Sequence, residues 1–433
     1  MWMQQQQNNL REKDDENFYY EELSEEDYKQ TFYCAIKPAI YVAKIFGFFP
    51  INISSKQVHE IKFKWIHFRT LISLSLIVCC TMTAGFALKA QTEQLSAANI
   101  VGVLFFSICT IIAISFFRIS MRFRYLMMSW VKVEKKFLSE KYTMPADKWK
   151  LRTKISIFTF IFFCCSFSEH FFYLGAEIYK LTFEIRHCNI TDFDLFELFT
   201  RKQHKFVLDN IPYEYNNVIG AIVEYLNFSY TFFWNYLDLF IMLLSIGLSD
   251  LLQKISHRME CLQTVRLDEN IWAELRLDHV SVSELIKIVN EEFGFIFMLA
   301  CLNDSYFILI QMLNITTSLP FILSIIYFWY SLIYLVIRSV LMVSYASDVY
   351  ENARKPIEVI RMIPADQWNN ELERFFNQIK FHSNALSGKK FFIITKTLLF
   401  SMAGVLVTYE LVLLQVDGKT VTWQDLIDCD SRT

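Results

Sequence analysis

Acidic, amide and aromatic side chains recur at steps of three or four residues inside several strongly apolar stretches of this sequence. Steps of this size place side chains on one face of a helix, so each set forms a polar and aromatic stripe. Ionisable groups in apolar surroundings are costly, and for that reason they usually face a cavity or a partner. The three stripes are Ser166, Glu169, Tyr173 and Glu177; Glu224, Asn227, Thr231, Trp234 and Asp238; and Asp304, Phe307 and Gln311, and the sixth apolar stretch adds the aromatic residues Tyr327, Trp329 and Tyr330.

The chemistry of these stripes suits a neutral polyol. Carboxylates and amides exchange hydrogen bonds with hydroxyl groups, and aromatic faces cover the C–H side of a ring. We expect no lysine or arginine at matching depth, so that the carboxylates line a wet pocket open to the outside. The alternative is that the side chains satisfy one another across helices as structural contacts. The candidate ligand-binding residues are Glu169, Tyr173, Glu177, Glu224, Asn227, Trp234, Asp304, Phe307, Gln311 and Trp329.

Composition indicates a membrane protein. Apolar residues make up 54% of the 433 positions, with 42 phenylalanines against 10 glycines. About 20 apolar residues in a helix span the hydrocarbon core of a bilayer, and seven blocks approach or exceed that length. The sequence therefore predicts an all-α membrane protein with seven transmembrane helices. The blocks are Trp65–Leu88, Ala97–Phe117, Ile155–Tyr179, Val218–Leu248, Phe293–Leu313, Leu319–Val343 and Phe391–Gln415.

The distribution of lysine and arginine predicts the orientation. Many basic residues separate the second and third blocks, whereas only Lys89 separates the first and second. Short basic loops stay in the cytosol. The N-terminus is therefore predicted to be cytosolic and the C-terminus extracellular, which is opposite to G-protein-coupled receptors.

The chain divides into segments around these blocks. The apolar cytosolic segments predict a helical anchor layer beneath the membrane, and the stretch from Trp368 predicts an amphipathic helix ended at Gly388. The predicted segments are a disordered acidic tail (1–31), an interfacial or re-entrant helix (32–64), transmembrane helices 1–4 (65–250), a cytosolic helical extension (251–292), transmembrane helices 5–6 (293–343), cytosolic anchor helices (344–390), transmembrane helix 7 (391–416) and an extracellular tail (417–433).

Two features are assigned to the extracellular side. Cys188 and Cys429 are the only cysteines predicted there, and a disulfide between them is left open. Asn189 carries the one glycosylation sequon in a long outside loop, so it is the predicted glycosylation site. No CxxC pair or histidine cluster predicts a metal or cofactor site.

The last block carries a weakly polar face. Thr408, Val412 and Gln415 share it, with Val405 one turn away. Polar residues at a helix end are commonly interfacial. Four copies around an axis would instead form rings typical of a gated pore.

The stretch "TYELVLLQ", Thr408 to Gln415, resembles the C-terminal signature of insect gustatory receptors, and Glu410 is similar to the version in their sugar-sensing branch. The stretches "SYASDVYENARKPIEVIRMIP" and "ALSGKKFFIITKTLLFSMAG" resemble that branch too. The resemblance covers about the last 80 residues, and Val416 stands where the family often has phenylalanine.

The resemblance implies a tetramer around a pore made by the seventh helices and held by a cytosolic anchor layer. The pore-lining residues would be Val405, Thr408, Val412, Gln415 and Val416. The implied function is not enzymatic: a sugar-gated non-selective cation channel in the plasma membrane of taste receptor neurons, permeable to Na, K and Ca. Membrane lipid and sister receptors are expected partners, as a homotetramer or a heteromer, and nucleic acid is not. A G-protein-coupled chemoreceptor and a polyol transporter remain the alternatives.

Overall fold

The computed structural model describes residues 24–53, 58–93, 97–145, 150–188, 193–262, 267–316 and 319–413, and in these residues the protein is nearly all helical. The helices are α1 (Glu25–Gln30), α2 (Phe32–Ile45), α3 (Phe68–Glu93), α4 (Ala97–Glu134), α5 (Leu151–His187), α6 (Leu195–Gln203), α7 (Lys205–Leu208), α8 (Asn217–Leu262), α9 (Glu269–Leu313), α10 (Ile322–Arg354), α11 (Pro356–Arg361), α12 (Asn370–Phe381) and α13 (Lys396–Leu413). Single 3₁₀ turns lie at Val58–Glu60, Lys135–Leu138, Glu140–Tyr142, Asn314–Thr316 and Ala365–Gln367, and two short strands at Ser387–Gly388 (β1) and Phe392–Ile393 (β2).

Six helices among the described residues are long and apolar enough to cross a membrane, namely α3, α4, α5, α8, α9 and α10. They correspond to the first six predicted blocks. The seventh block forms α13, whose described apolar part, Lys396–Thr408, is shorter. Several helices run far beyond their apolar blocks, because charged residues end a hydropathy block without ending a helix.

Helix α8 is the centre of the bundle. It is a single helix of 46 residues, and from Ser229 to Leu252 nearly all of its side chains are buried. The helices α4, α5, α9 and α10 pack against it. A helix that is apolar all round is buried on every side, and this arrangement lets α8 contact all of its neighbours.

Helix α2 packs into this bundle. Its side chains Phe32, Ile36 and Ile40 are fully buried. The Phe32 ring stacks on Trp130 of α4 with centroids 4.1 Å apart. Glu134 Oε1 accepts a hydrogen bond of 2.8 Å from the Phe32 N–H, so this carboxylate caps the first turn of α2. The segment predicted as an interfacial or re-entrant helix thus begins with a helix that belongs to the core.

A polar cluster joins the ends of α8 and α9 that were predicted to lie in the cytosol. Tyr142 donates a hydrogen bond of 2.5 Å to Asp278, and Arg258 donates one of 3.0 Å to the Tyr142 hydroxyl. Arg258 also holds both carboxylate oxygens of Glu274 at 3.2 Å. Burial raises the pKa of Tyr142, so its hydroxyl stays a neutral donor at ordinary pH.

The segment after α12 differs from the prediction. Helix α12 ends at Phe381 rather than at Gly388, and the chain then forms a hairpin in which Ser387 pairs with Ile393. Lys389 and Lys390 turn it with φ of 53° and 66°. A Cβ at Gly294 would lie 3.1 Å from the Lys389 nitrogen, so glycine allows the hairpin to pack on α9.

Gly247 of α8 provides a test of the packing of α2 and α4 against α8. A Cβ there would lie 2.6 Å from the Phe32 ring and 2.7 Å from Trp130. We expect Gly247→Ala to lower the free energy of unfolding by about 1–3 kcal/mol, because the added methyl group must displace packed rings. The measurement is the thermal midpoint of the purified protein in detergent.

Gly175→Ala in α5 is the matched control, since a Cβ at Gly175 meets nothing within 4 Å. It should be neutral or stabilising by about 0.5–1 kcal/mol, the gain of alanine over glycine in a helix. Equal midpoints for the two variants would contradict the close packing of α2 on α8.

Candidate ligand-binding site

Arg338 of α10 lies at the centre of the polar cluster inside the bundle and is fully buried. Its Nε is 2.7 Å from Asp238 Oδ2 of α8, and its Nη2 is 3.7 Å from Asp304 Oδ1 of α9. Neither contact has hydrogen-bond geometry, so both are ion pairs rather than directed hydrogen bonds. Arg338 Nη1 also donates a hydrogen bond to Asn235. One guanidinium group therefore joins three helices.

This arginine corrects the expectation from the sequence. We expected no lysine or arginine at the depth of the carboxylates, and that expectation is wrong because Arg338 pairs with two of them. Counted in residues, Arg338 and Asp238 lie at nearly the same distance from the outer ends of their predicted blocks. A comparison of depth between these two blocks is the signal that could have found the pair.

Aromatic rings surround the guanidinium group. The Arg338 guanidinium carbon lies 4.7 Å from the centroid of the Trp234 ring and 5.6 Å from that of Tyr334. Trp234 in turn packs on Phe307 of α9 with centroids 4.9 Å apart, and Phe105 of α4 meets both rings edge-on. Cation–π contacts of this kind gain strength when water is excluded.

A second group of polar side chains continues from this centre toward the end of the bundle where α5 ends and α8 begins. Ser331 donates a hydrogen bond of 2.6 Å to Glu169 Oε1, and Gln311 Nε2 donates one of 3.1 Å to the Ser331 hydroxyl. Glu169 is 5% exposed.

Several buried atoms in this region have no hydrogen-bond partner among the described residues. A buried polar atom without a partner is costly, and each such atom calls for an explanation. Four such atoms lie on α5, α8, α9 and α10. They are Glu169 Oε2, Gln311 Oε1, Trp234 Nε1 and the Tyr334 hydroxyl oxygen.

The short helices α6 and α7 hold the remaining acidic stripe residues. Gln203 Nε2 donates a hydrogen bond of 2.6 Å to Glu177, and the Tyr173 hydroxyl donates one of 3.2 Å to Gln203 Oε1. His204 Nε2 lies 3.2 Å from Glu224 Oε1. These side chains are therefore held by the segment between α5 and α8 rather than by the inner cluster.

The predicted site residues other than Tyr173, Glu177 and Glu224 lie in three places. Glu169, Trp234, Asp304, Phe307 and Gln311 lie together in or beside the inner cluster. Trp329 is 47% exposed on the surface of the bundle. Asn227 is partly buried, and its side chain makes no hydrogen bond to any residue of the described ranges.

The predicted pore residues, the glycosylation site and one of the two extracellular cysteines lie near or beyond the limits of the described residues. Val405 is 57% exposed on α13, and the Thr408 hydroxyl donates a hydrogen bond of 2.8 Å to the Gly404 carbonyl. Val412 lies within α13. Gln415, Val416, Asn189 and Cys429 lie outside the described residues. Cys188 is disulfide-bonded, and the other cysteines of the described ranges are free thiols.

The ion pairs of Arg338 predict a large effect of its removal. Arg338→Met leaves Asp238 and Asp304 buried without a counter-ion, and we expect it to lower the free energy of unfolding by about 3–5 kcal/mol. The measurement is the fraction of protein that elutes as a single species in size-exclusion chromatography after heating. A variant that also carries Asp238→Asn and Asp304→Asn removes every charge of the set and should recover most of the loss. If that triple variant is as unstable as Arg338→Met, charge pairing is not what stabilises this cluster.

The comparisons with known proteins agree with this architecture. The family model described as trehalose receptor matches residues 3–429. The gustatory receptor for sugar taste 61a of Drosophila melanogaster is 31% identical over 400 residues, which cover 92% of this chain and 91% of that protein. Gustatory receptor 5a for trehalose, from the same organism, is 27% identical over 404 residues, which cover 91% and 87%.

The fold also matches a solved structure, that of the insect olfactory receptor OR5 from Machilis hrabei. The TM-score is 0.63 at 17% sequence identity, and the match covers 89% of this chain and 100% of that one. The chain is thus a multi-pass membrane protein with the fold of an insect olfactory receptor. It belongs to the trehalose receptor family, which confirms its predicted place among the sugar-sensing insect gustatory receptors.

Proposed function

We propose that this chain is a sugar receptor that acts as a ligand-gated, non-selective cation channel in the plasma membrane of taste receptor neurons. Four chains form the channel, as a homotetramer or with sister receptors, and Na, K and Ca pass through it. The names of its relatives, which refer to sugar taste and to trehalose, support a sugar as ligand. The observation that carries the proposal is an apolar cluster around Phe307, against which both Trp234 of the inner polar cluster and Leu406 of the last helix pack.

The sugar is proposed to bind in the inner cluster. Its hydroxyl groups would meet the buried atoms that lack partners, among them Glu169 Oε2, Gln311 Oε1 and Trp234 Nε1. These are two acceptors and one donor, which suits hydroxyl groups that both donate and accept. The ring of Trp234 beside Phe307 offers an apolar face for the C–H side of a sugar. The ion pairs of Arg338 form the floor of the site.

Tyr173, Glu177 and Glu224 are proposed to line the route by which the sugar enters. Their partners Gln203 and His204 belong to the segment between α5 and α8, which covers this end of the cluster. The proposed orientation, with the N-terminus cytosolic, puts this end outside the cell and follows from the basic loops. Asn189 in the same loop is proposed to carry a glycan.

Coupling to the pore is proposed to run through Phe307. Its ring contacts Trp234, and the same apolar cluster includes Leu335 of α10 and Leu406 of α13. A sugar that displaces Trp234 would therefore change the packing of α13 through this shared cluster. A ligand can open the pore only if it binds the open arrangement more tightly, and repacking around Phe307 would supply that difference.

The surface of α13 supports assembly. Leu398, Leu399 and Met402 pack against the core of this chain, whereas Phe400 and Val407 are 74% and 54% exposed. A large apolar face that one chain leaves open is typical of an interface with lipid or protein. We propose that four such helices enclose the pore, with Val405, Thr408, Val412, Gln415 and Val416 along it.

Two conservative variants test the ligand site. Glu169→Gln removes the charge and keeps the shape, and Trp234→Phe removes the Nε1 donor and keeps an aromatic ring. Each should raise the sugar concentration for half-maximal response about ten- to a hundredfold, because a lost hydrogen bond to a buried group costs about 1–3 kcal/mol. The measurement is a dose–response curve in cells that express this chain, corrected for surface protein.

Phe171→Ala is the control on the helix that carries Glu169, since the Phe171 side chain is 65% exposed on the outside of the bundle. It should leave the curve unchanged. Wild-type curves for both site variants at normal surface levels would place the sugar elsewhere.

Recording from the purified chain in plain lipid tests the channel itself. We expect sugar to evoke cation currents without added G protein. Single cysteines along 405–416 should then respond to a charged thiol reagent applied with sugar, with block recurring at 405, 408, 412 and 415, the positions that share one helix face. The other positions of this stretch, apart from 416, serve as internal controls.

The other outcomes separate the alternatives. Responses that require an added G protein would support a G-protein-coupled receptor, and sugar uptake without current would support a polyol transporter. Currents with uniform block along the stretch would contradict the proposed pore helix while leaving the channel itself in place.

A further inference from the structure

A basic groove lies where α3 begins, and none of its lining residues belongs to the polar clusters described above. One wall is the extended segment from Ile61 to Trp65, which is held by backbone pairing of Lys62 with Asn52. The other wall is the middle of α4, from Ser120 to Arg124. The groove encloses about 390 Å³, and Lys62, Lys64 and Arg124 line it.

The three cations of the groove have no partner among the described residues. No ion pair or side-chain hydrogen bond of Lys62, Lys64 or Arg124 occurs there, and all three side chains are exposed. Arg122, two residues before Arg124 on the same helix, differs, because it donates a hydrogen bond of 2.7 Å to Glu292 of α9. Glu60, which precedes the segment, forms no ion pair with these cations within the described ranges. The groove therefore holds three positive charges that this part of the chain does not neutralise.

The position of the groove along the bundle points to a membrane ligand. The candidate span of α3 begins at Phe68, directly after the groove segment, and the apolar block of α4 ends just before Arg118. Trp65, Ile66 and Phe68 are 61%, 95% and 72% exposed. Tryptophan beside cationic residues at the end of a span is typical of the level of lipid headgroups.

The aromatic residues also fix the shape of the groove. Trp65 meets Phe63 edge-on at 5.3 Å between centroids and lies 6.0 Å from Phe117 of α4. The segment is thus held against α4 by rings rather than by ion pairs, which leaves its lysines available. Arginine binds a phosphate through two parallel N–H groups, and lysine adds a compact charge.

We propose that this groove binds the headgroup of an anionic phospholipid of the cytosolic leaflet. The phosphate lies between Lys62, Lys64 and Arg124, and the acyl chains run along the exposed side chains of Ile66 and Phe68. The leaflet rests on the proposed orientation. The cytosolic leaflet is the one rich in anionic lipid, and basic segments near its surface are attracted to it. The site is independent of the sugar-binding cluster.

The test uses the full-length purified chain in neutral detergent. The probe is dioctanoyl phosphatidylserine, with dioctanoyl phosphatidylcholine as the neutral match, and the readout is the thermal midpoint as each lipid is added. A ligand that binds the folded state raises the midpoint. We expect phosphatidylserine to raise it and phosphatidylcholine to leave it unchanged. Equal effects of the two lipids would overturn the proposal.

A variant that combines Lys62→Gln, Lys64→Gln and Arg124→Gln tests the groove itself. It should weaken the apparent affinity for phosphatidylserine by about tenfold or more, because each cation near an anionic surface adds to the attraction. A second variant combines Lys287→Gln, Arg374→Gln and Lys380→Gln, which remove the same charge from other exposed positions. This control should not weaken the affinity for phosphatidylserine. Equal losses in the two variants would mean that net charge, not the groove, attracts the lipid, and would overturn the site.

Inorganic phosphate that raises the midpoint of the wild-type chain as much as the lipid does would show a free-anion site and would overturn the lipid assignment. Both variants must elute as the wild-type protein does, and this measurement does not depend on sugar response or on channel activity.

Discussion

The burial of a single guanidinium group is the constraint on which the packing of α8, α9 and α10 depends. Arg338 must keep carboxylates beside it, because an unpaired charge at that depth would cost several kcal/mol. Asp238 and Asp304 supply them from two different helices. The relative height of α8, α9 and α10 is therefore set by charge as well as by the shape of apolar side chains. The same group also orients Trp234, whose ring lies across it.

Much of the fold could be predicted from hydropathy, and the reason is physical. A bilayer admits only segments whose backbone hydrogen bonds are satisfied internally, so an apolar run of sufficient length is a helix almost by necessity. The six long helices correspond to predicted blocks for this reason. The same reasoning does not reveal where a helix ends in water. The chain after Phe381 turns through a hairpin with two lysines at positive φ. Lysine rarely adopts this conformation, so the sequence does not predict the turn.

The candidate site was predictable only in part. Periodicity places Glu169, Trp234 and Gln311 on helix faces correctly, because the spacing of side chains follows from helix geometry alone. What each face meets depends on the rotation and height of the neighbouring helices, which no single segment encodes. Arg338 was missed at that step. The partners of Tyr173 and Glu177 were missed likewise, since they come from a loop whose length gave no hint of short helices packed on the bundle.

The unbroken length of α8 has a mechanical consequence. At 1.5 Å per residue its 46 residues extend about 69 Å, from the segment that covers the polar cluster to the cluster around Tyr142. Such a rod resists bending where it is packed on all sides, so a tilt about the close packing at Gly247, beside the stacked rings of Phe32 and Trp130, would move both of its ends. Gly247 lies 30 residues from the first residue of α8 and 15 from the last, so a tilt of about 5° would move the two ends by roughly 4 Å and 2 Å. A displacement at the end of α8 near Asn217 would thus reach the other end reversed in direction and about half as large, as a sideways shift beside the cluster around Tyr142.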